Sequence, residues 1–224
     1  FITTETVSNL RDLGGWMTRS GDRVKQGLMF RGAELTDDDN KNSYLRGNIA
    51  QLSDNDLDLM ANELGIKTEI DLRGSENGTR TTSILGNDVA YYDKPLGSND
   101  SVVSSDYGTF KTIFSLMADR SNYPIFFHCV GGNDRTARVA LLLNGLLGVS
   151  KDDLIRDWEL SSFSFNTVRR RNDSSYWASF NAFINHLETY EGNTLSEKIE
   201  DLMINHIGLT KAQVDSIKDI MLEQ

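Results

Sequence analysis

One stretch of the chain, YPIFFHCVGGNDRTARVALLLNGLLG at residues 123–148, predicts the fold around it. Its first part, residues 123–127, is a short continuous apolar run, which is typical of a strand buried on both faces. Its last part, residues 136–147, has the composition of a mostly buried helix that ends near Gly148. The only cysteine of the chain, Cys129, lies between them on a turn that contains glycines. The pattern therefore predicts a strand, a loop and a helix, with a thiol at the start of the loop.

The N-terminus of the predicted helix makes this loop, residues 129–135, a candidate anion site; we call it the cysteine loop. The first N–H groups of a helix have no partner within the helix, and the helix dipole favours negative charge there. Gly131 and Gly132 let the backbone curl so that successive N–H groups face inward. Arg135 adds a rigid guanidinium fork that can hold two phosphate oxygens at once. The predicted phosphate-binding residues are Val130, Gly131, Gly132, Asn133 and Thr136.

The same surroundings favour a nucleophilic role for Cys129. A free thiol has a pKa of about 8.5, so only a few per cent is thiolate at neutral pH. The helix N-terminus, the converging N–H groups and Arg135 all stabilise the anion. We expect Thr136 to donate a hydrogen bond to the sulfur when it leaves, and His128 to orient the loop from the strand end. The alternative is a buried structural cysteine, which behaves as a small hydrophobic side chain.

The segment His128-Cys129-x5-Arg135-Thr136 resembles the signature of the cysteine-based protein tyrosine phosphatases. The segments NLRDLGG at 9–15 and GLMFRGAEL at 27–35 narrow the resemblance to the atypical bacterial members, some of which have dual specificity or act on phosphoinositides. Residues 70–73 and 157–161 also lie where that group has similar segments. The resemblance implies a phosphomonoester hydrolase that works through a phosphocysteine intermediate.

One position departs from the phosphoinositide-active relatives. These commonly carry Lys-Asp before the loop arginine, whereas this chain has Asn133-Asp134. Because a cation that would contact extra phosphates is missing, we predict a protein tyrosine phosphatase, with a phosphoinositide or inositol phosphate phosphatase as the alternative. A sulfur transferase and a non-catalytic phosphate-binding module are the alternatives from other classes. The presence of both Cys129 and Arg135 argues against the non-catalytic module.

Several aspartates are candidates for the general acid that protonates the leaving oxygen. Asp134, directly before the loop arginine, is the first choice, and the resemblance implies an acid at this position in several atypical members. Its other possible role is to brace the loop through backbone N–H groups. Asp100 is the second choice, with Asp93 and Asp106 as competitors, since many phosphatases of the wider superfamily carry the acid on a mobile loop at about this place. The competing interpretation of these three is a solvated polar loop.

Further charged residues have two interpretations each. The arginine run at 169–171 either adds positive charge to the mouth of the site or lies on a solvated face, which is our expectation. Arg31 is expected to brace a carboxylate near the site. Asp71 and Arg73 follow a predicted strand, where ligand sites form, but an internal ion pair explains them equally well.

The alternation of strands and helices predicts an α/β fold with a central, mainly parallel sheet flanked by helices and a helical C-terminal part. Residues 1–224 are expected to form a single phosphatase domain, of which residues 150–224 are a helical elaboration. Gly148 precedes this part, and Ser150 and Thr210 are its candidate N-caps. The other predicted elements are an edge strand at 28–30, parallel strands at 66–72 and 89–92, and helices at 53–64 and 107–119.

Composition limits the partners. The 224 residues are 38% hydrophobic, enough for a substantial core, and the net charge of −10 disfavours nucleic acid and anionic membranes. No apolar run approaches the ~20 residues that span a bilayer, so no membrane insertion is expected. The expected partners are a phosphorylated protein, a phosphorylated small molecule or lipid, and inorganic phosphate.

No cofactor and no metal are predicted. The chain has neither a dinucleotide glycine fingerprint nor a nucleotide-binding lysine motif, and His186 and His206 lack partners at ligand spacing. The chain begins at Phe1 without a methionine, which fits a processed signal peptide or a trimmed terminus. Because bacterial relatives of this type are often exported, we expect secretion, with the cytoplasm as the alternative.

Overall fold

The computed structural model describes most of the chain, in seven ranges: residues 1–36, 45–46, 51–74, 80–97, 102–164, 168–172 and 175–223. Five strands in these ranges form one sheet of order β1-β2-β5-β3-β4. β1 runs antiparallel to β2, and every other pairing is parallel. The predicted mainly parallel sheet is therefore confirmed. The strands are β1 Arg11–Asp12, β2 Met29–Gly32, β3 Thr68–Asp71, β4 Ala90–Asp93 and β5 Ile125–His128.

The prediction that residues 28–30 form an edge strand is wrong. Their strand, β2, lies inside the sheet because β1 pairs with its outer side and β5 with its inner side. β1 is only two residues long, Arg11–Asp12, so no alternation of apolar and polar residues announces it.

Helices begin and end where the sequence places their caps. The hydroxyls of Ser53, Ser150 and Thr210 accept N-cap hydrogen bonds, as expected for these residue types. Short 3₁₀ turns occur at Ser104–Asp106, Arg120–Asn122 and Ser161–Phe163. The helices are α1 Asp54–Asp58 with its π-helical extension Leu59–Glu63, α2 Tyr107–Met117, α3 Arg135–Leu146, α4 Lys151–Leu160, α5 Ser175–Leu187, α6 Leu195–Asp201 with its π-helical extension Leu202–Ile207, and α7 Lys211–Met221.

Both faces of the sheet are covered. Along β5, Ile125 and Phe127 point into a large hydrophobic cluster formed with helices α2 to α7, whereas Phe126 points into a smaller cluster on the α1 side. All three side chains are fully buried. This burial fixes β5 in the middle of the sheet, so its carboxyl end is held rigidly at the point where Cys129 follows.

Candidate active site

The cysteine loop connects the central strand to a buried helix. β5 ends at His128, Cys129 follows, and α3 begins at Arg135. The Cys129 thiol is free and only 3% exposed. Arg135 extends its guanidinium towards the end of β3, where Nη1 donates to the carbonyl of Leu72 at 3.4 Å. The predicted strand, loop and helix are thus confirmed, and the loop lies at the carboxyl ends of parallel strands, where ligand sites form in such sheets.

Two side chains from the N-terminal part turn the loop carbonyls outward. The Asn9 amide donates to the carbonyls of Gly131 at 3.2 Å and Gly132 at 3.1 Å. Nη2 of Arg31 donates to the Gly132 carbonyl as well, at 2.6 Å. In a trans peptide the carbonyl and the next N–H group point in opposite directions. The N–H groups after these carbonyls therefore face the inside of the loop, as an anion nest requires.

Gly132 is required by its conformation and by its neighbour. Its φ of +67° is in the left-handed region, and a Cβ at this position would lie 2.3 Å from the carbonyl oxygen of Gly32 on β2. A side chain here would force the loop away from the sheet. The loop is held at this strand at a second point, where the N–H group of Glu34 donates to the Val130 carbonyl at 2.9 Å.

Two predicted phosphate-binding side chains are turned into the protein. Asn133 is 2% exposed, and its Oδ1 accepts a hydrogen bond from the Asn9 amide at 2.9 Å. Its side chain therefore braces the loop, and only its backbone is left to bind an anion. Thr136 is fully buried, and its hydroxyl has no hydrogen-bond partner in the part of the chain that the structure describes. Burying an unpaired hydroxyl costs about 1–3 kcal/mol of stability. We therefore keep the prediction that the Thr136 hydroxyl donates a hydrogen bond to the sulfur during the reaction.

A buried carboxylate joins the two arginines that stand behind the loop. Asp157 on α4 accepts from Nε of Arg11 at 3.0 Å and from Nη1 of Arg31 at 2.5 Å. Burial alone would raise the pKa of Asp157, but the charges and hydrogen bonds of the two guanidinium groups outweigh it and hold that pKa below its usual value. Burial, followed by repulsion from Arg11, lowers the pKa of Arg31 to about 10. The expectation that Arg31 braces a carboxylate near the site is confirmed.

Asp134, the first choice for the general acid, is paired with an arginine. Nε and Nη2 of Arg169 donate to its two carboxylate oxygens at 3.1 and 2.9 Å. Its side chain makes no cap bond to α3, so the helix end gives no support to the alternative role, in which Asp134 braces the loop through backbone N–H groups. Asp100, the second choice, lies outside the described residues. Asp93 is exposed at the end of edge strand β4, and Asp106 lies in the 3₁₀ turn that precedes α2.

The expectation of a solvated face holds for Arg170, which is exposed, and is wrong for Arg169 and Arg171, which are paired with carboxylates. Arg169 is 5% exposed and its guanidinium carbon lies 3.6 Å from the centre of the Tyr176 ring. Arg171 is bound to α4 through Glu159 at 2.9 Å and Asp152 at 2.6 Å. The isolated sequence gives no sign of these pairs, because the partner carboxylates lie 12 to 35 residues away.

An ion network lies behind the carboxyl end of the sheet. Arg73 donates to Asp71 at 2.9 Å, so the internal ion pair is the correct interpretation of these two residues. Nε2 of His128 lies 3.0 Å from Glu69, and its Nδ1 lies 3.2 Å from the Cys129 carbonyl, which fits the expected role of His128 in orienting the loop. Burial would raise the pKa of Glu69, but its hydrogen bond to His128 and nearby positive charges lower it.

The same network holds the group of potential metal ligands found among the described residues. Donor atoms of Glu69, Asp71 and His128 lie within 4.8 Å of one another and are buried. The acids already pair with arginines, Glu69 with Arg80 and Asp71 with Arg73. These pairs fill the space and balance the charge that a cation would require.

A thiol at the end of a central parallel strand, a loop of inward N–H groups and an arginine at the start of the next helix define a cysteine-based phosphatase site. Comparison with known proteins agrees. The sequence model of the tyrosine phosphatase family matches residues 2–223, so the chain belongs to that family.

Two curated relatives are bacterial. A protein of Cupriavidus necator with the provisional name of tyrosine-protein phosphatase is 26% identical in an alignment 182 residues long, which covers 70% of this chain and 61% of that protein. A tyrosine-protein phosphatase of Nostoc commune is 26% identical in an alignment 136 residues long, which covers 51% of this chain and 46% of that protein. The chain thus spans less than two thirds of the length of either relative.

Two solved structures of the catalytic core of yeast Siw14, one of them described as a PP-IP phosphatase in complex with citrate, are 12% identical to this chain. They cover 80% of it and 88% of their own chains, with TM-scores of 0.47 and 0.48. This likeness is too low to bear on the substrate. No helix in the described part of the chain combines the length and the apolarity that a bilayer crossing requires.

Proposed function

We propose that this protein hydrolyses phosphomonoesters through a phosphocysteine intermediate and that its substrates are phosphotyrosine residues in proteins. The observation that carries the proposal is the outward anchoring of the Gly131 and Gly132 carbonyls beside Cys129. This anchoring turns N–H groups towards the position of a phosphoryl group above the thiol, where Arg135 can grip two of its oxygens.

The reaction has two steps. In the first, the Cys129 thiolate attacks phosphorus, the bond from phosphorus to the ester oxygen breaks, and Asp134 as the carboxylic acid gives that oxygen a proton. In the second, the Asp134 carboxylate takes a proton from water, the water oxygen attacks phosphorus, and the thiolate leaves with the electron pair of the P–S bond. Inorganic phosphate is the product, and the proton taken from water leaves Asp134 as the carboxylic acid from which the next cycle starts.

Hydrolysis of p-nitrophenyl phosphate by the wild type and by Cys129→Ser tests the chemistry. We expect the variant to lose hydrolysis and to retain binding of inorganic phosphate, because the anion loop is untouched. Rapid acid quench of the wild type, followed by mass spectrometry, should find the phosphoryl group on Cys129. Full activity of Cys129→Ser would refute the covalent mechanism.

The proposed substrate class rests on the absence of a lysine directly before Asp134 in the loop sequence. Asn133 stands where phosphoinositide-active relatives commonly have lysine, and its side chain is buried against Asn9. The charge of the nearby Arg169 is balanced by Asp134. We therefore expect kcat/KM for phosphotyrosine peptides to exceed that for phosphoinositides and soluble inositol phosphates at fixed ionic strength. A clear preference for a polyphosphorylated inositol would overturn the protein substrate and leave the chemistry intact.

A further inference from the structure

Arg169 holds the carboxylate at the end of the cysteine loop although it comes from a distant segment of the chain. We propose that Arg169 is a positioning residue for the second step of the reaction: it holds the carboxylate of Asp134 in one orientation and thereby speeds hydrolysis of the phosphocysteine. This inference rests on the proposed function above. It gives a role to Arg169, which takes no part in the two chemical steps themselves.

Arg169 is held both at its backbone and at its guanidinium. Its backbone N–H and carbonyl both bond to the Ser162 hydroxyl, at 2.6 and 2.5 Å. Its guanidinium stacks on the Tyr176 ring, and Nη1 donates to the Val168 carbonyl at 2.9 Å. Nε and Nη2 remain for the two oxygens of Asp134. The fork is therefore preorganised, and little side-chain entropy is lost when it holds the carboxylate.

Burial distinguishes this pair from an ordinary surface salt bridge. The Arg169 side chain is 6% exposed, whereas that of Asp134 is 46% exposed. The guanidinium is therefore buried in the protein, whereas the carboxylate is exposed to solvent. An exposed ion pair contributes little to stability, whereas here the cation is buried and its side chain is held by Tyr176, Val168 and Asp134. This arrangement fits a residue that fixes the orientation of Asp134.

The two reaction steps use opposite forms of Asp134, and the second begins from the carboxylate. Nε and Nη2 of Arg169 each donate to one oxygen of Asp134, which fixes the orientation of that carboxylate. Each carboxylate oxygen has a second lone pair, so Asp134 can accept a proton from water while Arg169 stays bound. The acid that forms in this way is also the acid that the next ester oxygen needs, so an ester with a poor leaving group uses Asp134 in both steps. An activated ester needs no acid, and with it Arg169 assists only the hydrolysis of the phosphocysteine.

Pre-steady-state kinetics of Arg169→Gln tests this role. With p-nitrophenyl phosphate, whose leaving group needs no acid, we expect the phosphorylation of Cys129 to keep its wild-type rate. Hydrolysis should slow about tenfold or more, a part of what general acid–base catalysis supplies. The variant should then release a stoichiometric burst of nitrophenol before a slower steady state, because hydrolysis of the phosphocysteine limits its turnover. Arg169→Lys should be intermediate, since it keeps the charge and loses the fork.

The control is Arg171→Gln, which removes a neighbouring arginine whose partners are Glu159 and Asp152 on α4. It should leave the burst and kcat at wild-type values. If the burst rate of Arg169→Gln falls in step with kcat, Arg169 only supports the fold of the loop, and the proposal is overturned. Unchanged kinetics overturn it equally. If the wild type never carries a phosphoryl group on Cys129, the proposed function itself fails, a result that the wild type alone reveals.

Discussion

Replacing Asp157 by asparagine removes the charge that holds two buried arginines behind the cysteine loop. The Asp157 oxygens accept from Arg11 at 3.0 Å and Arg31 at 2.5 Å, and the three side chains are at most 8% exposed. Removing one partner of a buried ion pair costs about 3–5 kcal/mol, because the remaining charges stay buried without compensation. At about 2–4 °C per kcal/mol for a chain of this size, we expect Asp157→Asn to lower Tm by about 6–20 °C at pH 7.

The contribution of Asp157 to the stability of the protein should depend on pH. The pKa of Asp157 lies below the ordinary value of 3.8, so the carboxylate contributes stability above pH 3.8 and loses it as the pH falls through the lowered folded-state value. Urea unfolding of wild type and variant at a series of pH values should therefore show a difference that is constant near neutrality and shrinks below about pH 4.

The matched control is Asp152→Asn, which neutralises an exposed carboxylate on the same helix. Asp152 is 51% exposed and pairs with Arg156 and Arg171, so its loss should leave Tm almost unchanged. Equal Tm shifts for the two variants across the pH range would refute the reasoning that Asp157 stabilises the fold through buried charge.

Three further substitutions test the loop itself. Arg135→Lys keeps the charge but loses the fork, so kcat should fall by about 10²-fold or more, and near-wild-type turnover would remove Arg135 from phosphoryl binding. Asp134→Asn should slow phenyl phosphate far more than p-nitrophenyl phosphate, by up to about 10²–10⁴-fold, whereas equal losses would point away from an acid. Gly132→Ala should destabilise the protein more than Gly27→Ala in urea unfolding, because both have positive φ but only Gly132 meets a backbone oxygen, that of Gly32.

The part of the fold that the sequence predicts is the part with local signals. The apolar run of β5, the glycines of the loop and the apolar helix α3 follow one another, so periodicity and composition are sufficient to identify them. β1 escapes detection because two residues, Arg11 and Asp12, cannot show an alternation. The position of β2 inside the sheet was missed for the same reason.

The braces of the loop could not be predicted from the sequence for a different reason. Asn9, Asp157 and Arg169 act through partners that are distant along the chain, and no spacing rule connects them. The positive φ of Asn9, +60°, is one structural sign that its position is specialised, since few residues other than glycine adopt it. The family resemblance draws attention to the segments at 9–15 and 157–161. Only the structure shows that polar side chains from both segments meet beneath the cysteine loop.

The distance along the chain between the loop and its braces has a consequence for the order of folding. The bonds from Asn9 and Arg31 to the loop join residues 101 to 124 positions apart, from Arg31 with Gly132 to Asn9 with Asn133. Contacts of such separation carry a large closure entropy and form only when most of the chain is in place. A nascent chain, or one cleaved near either end of this span, therefore has the thiol but lacks the anion-binding conformation of the loop. The active site forms only with the last long-range contacts.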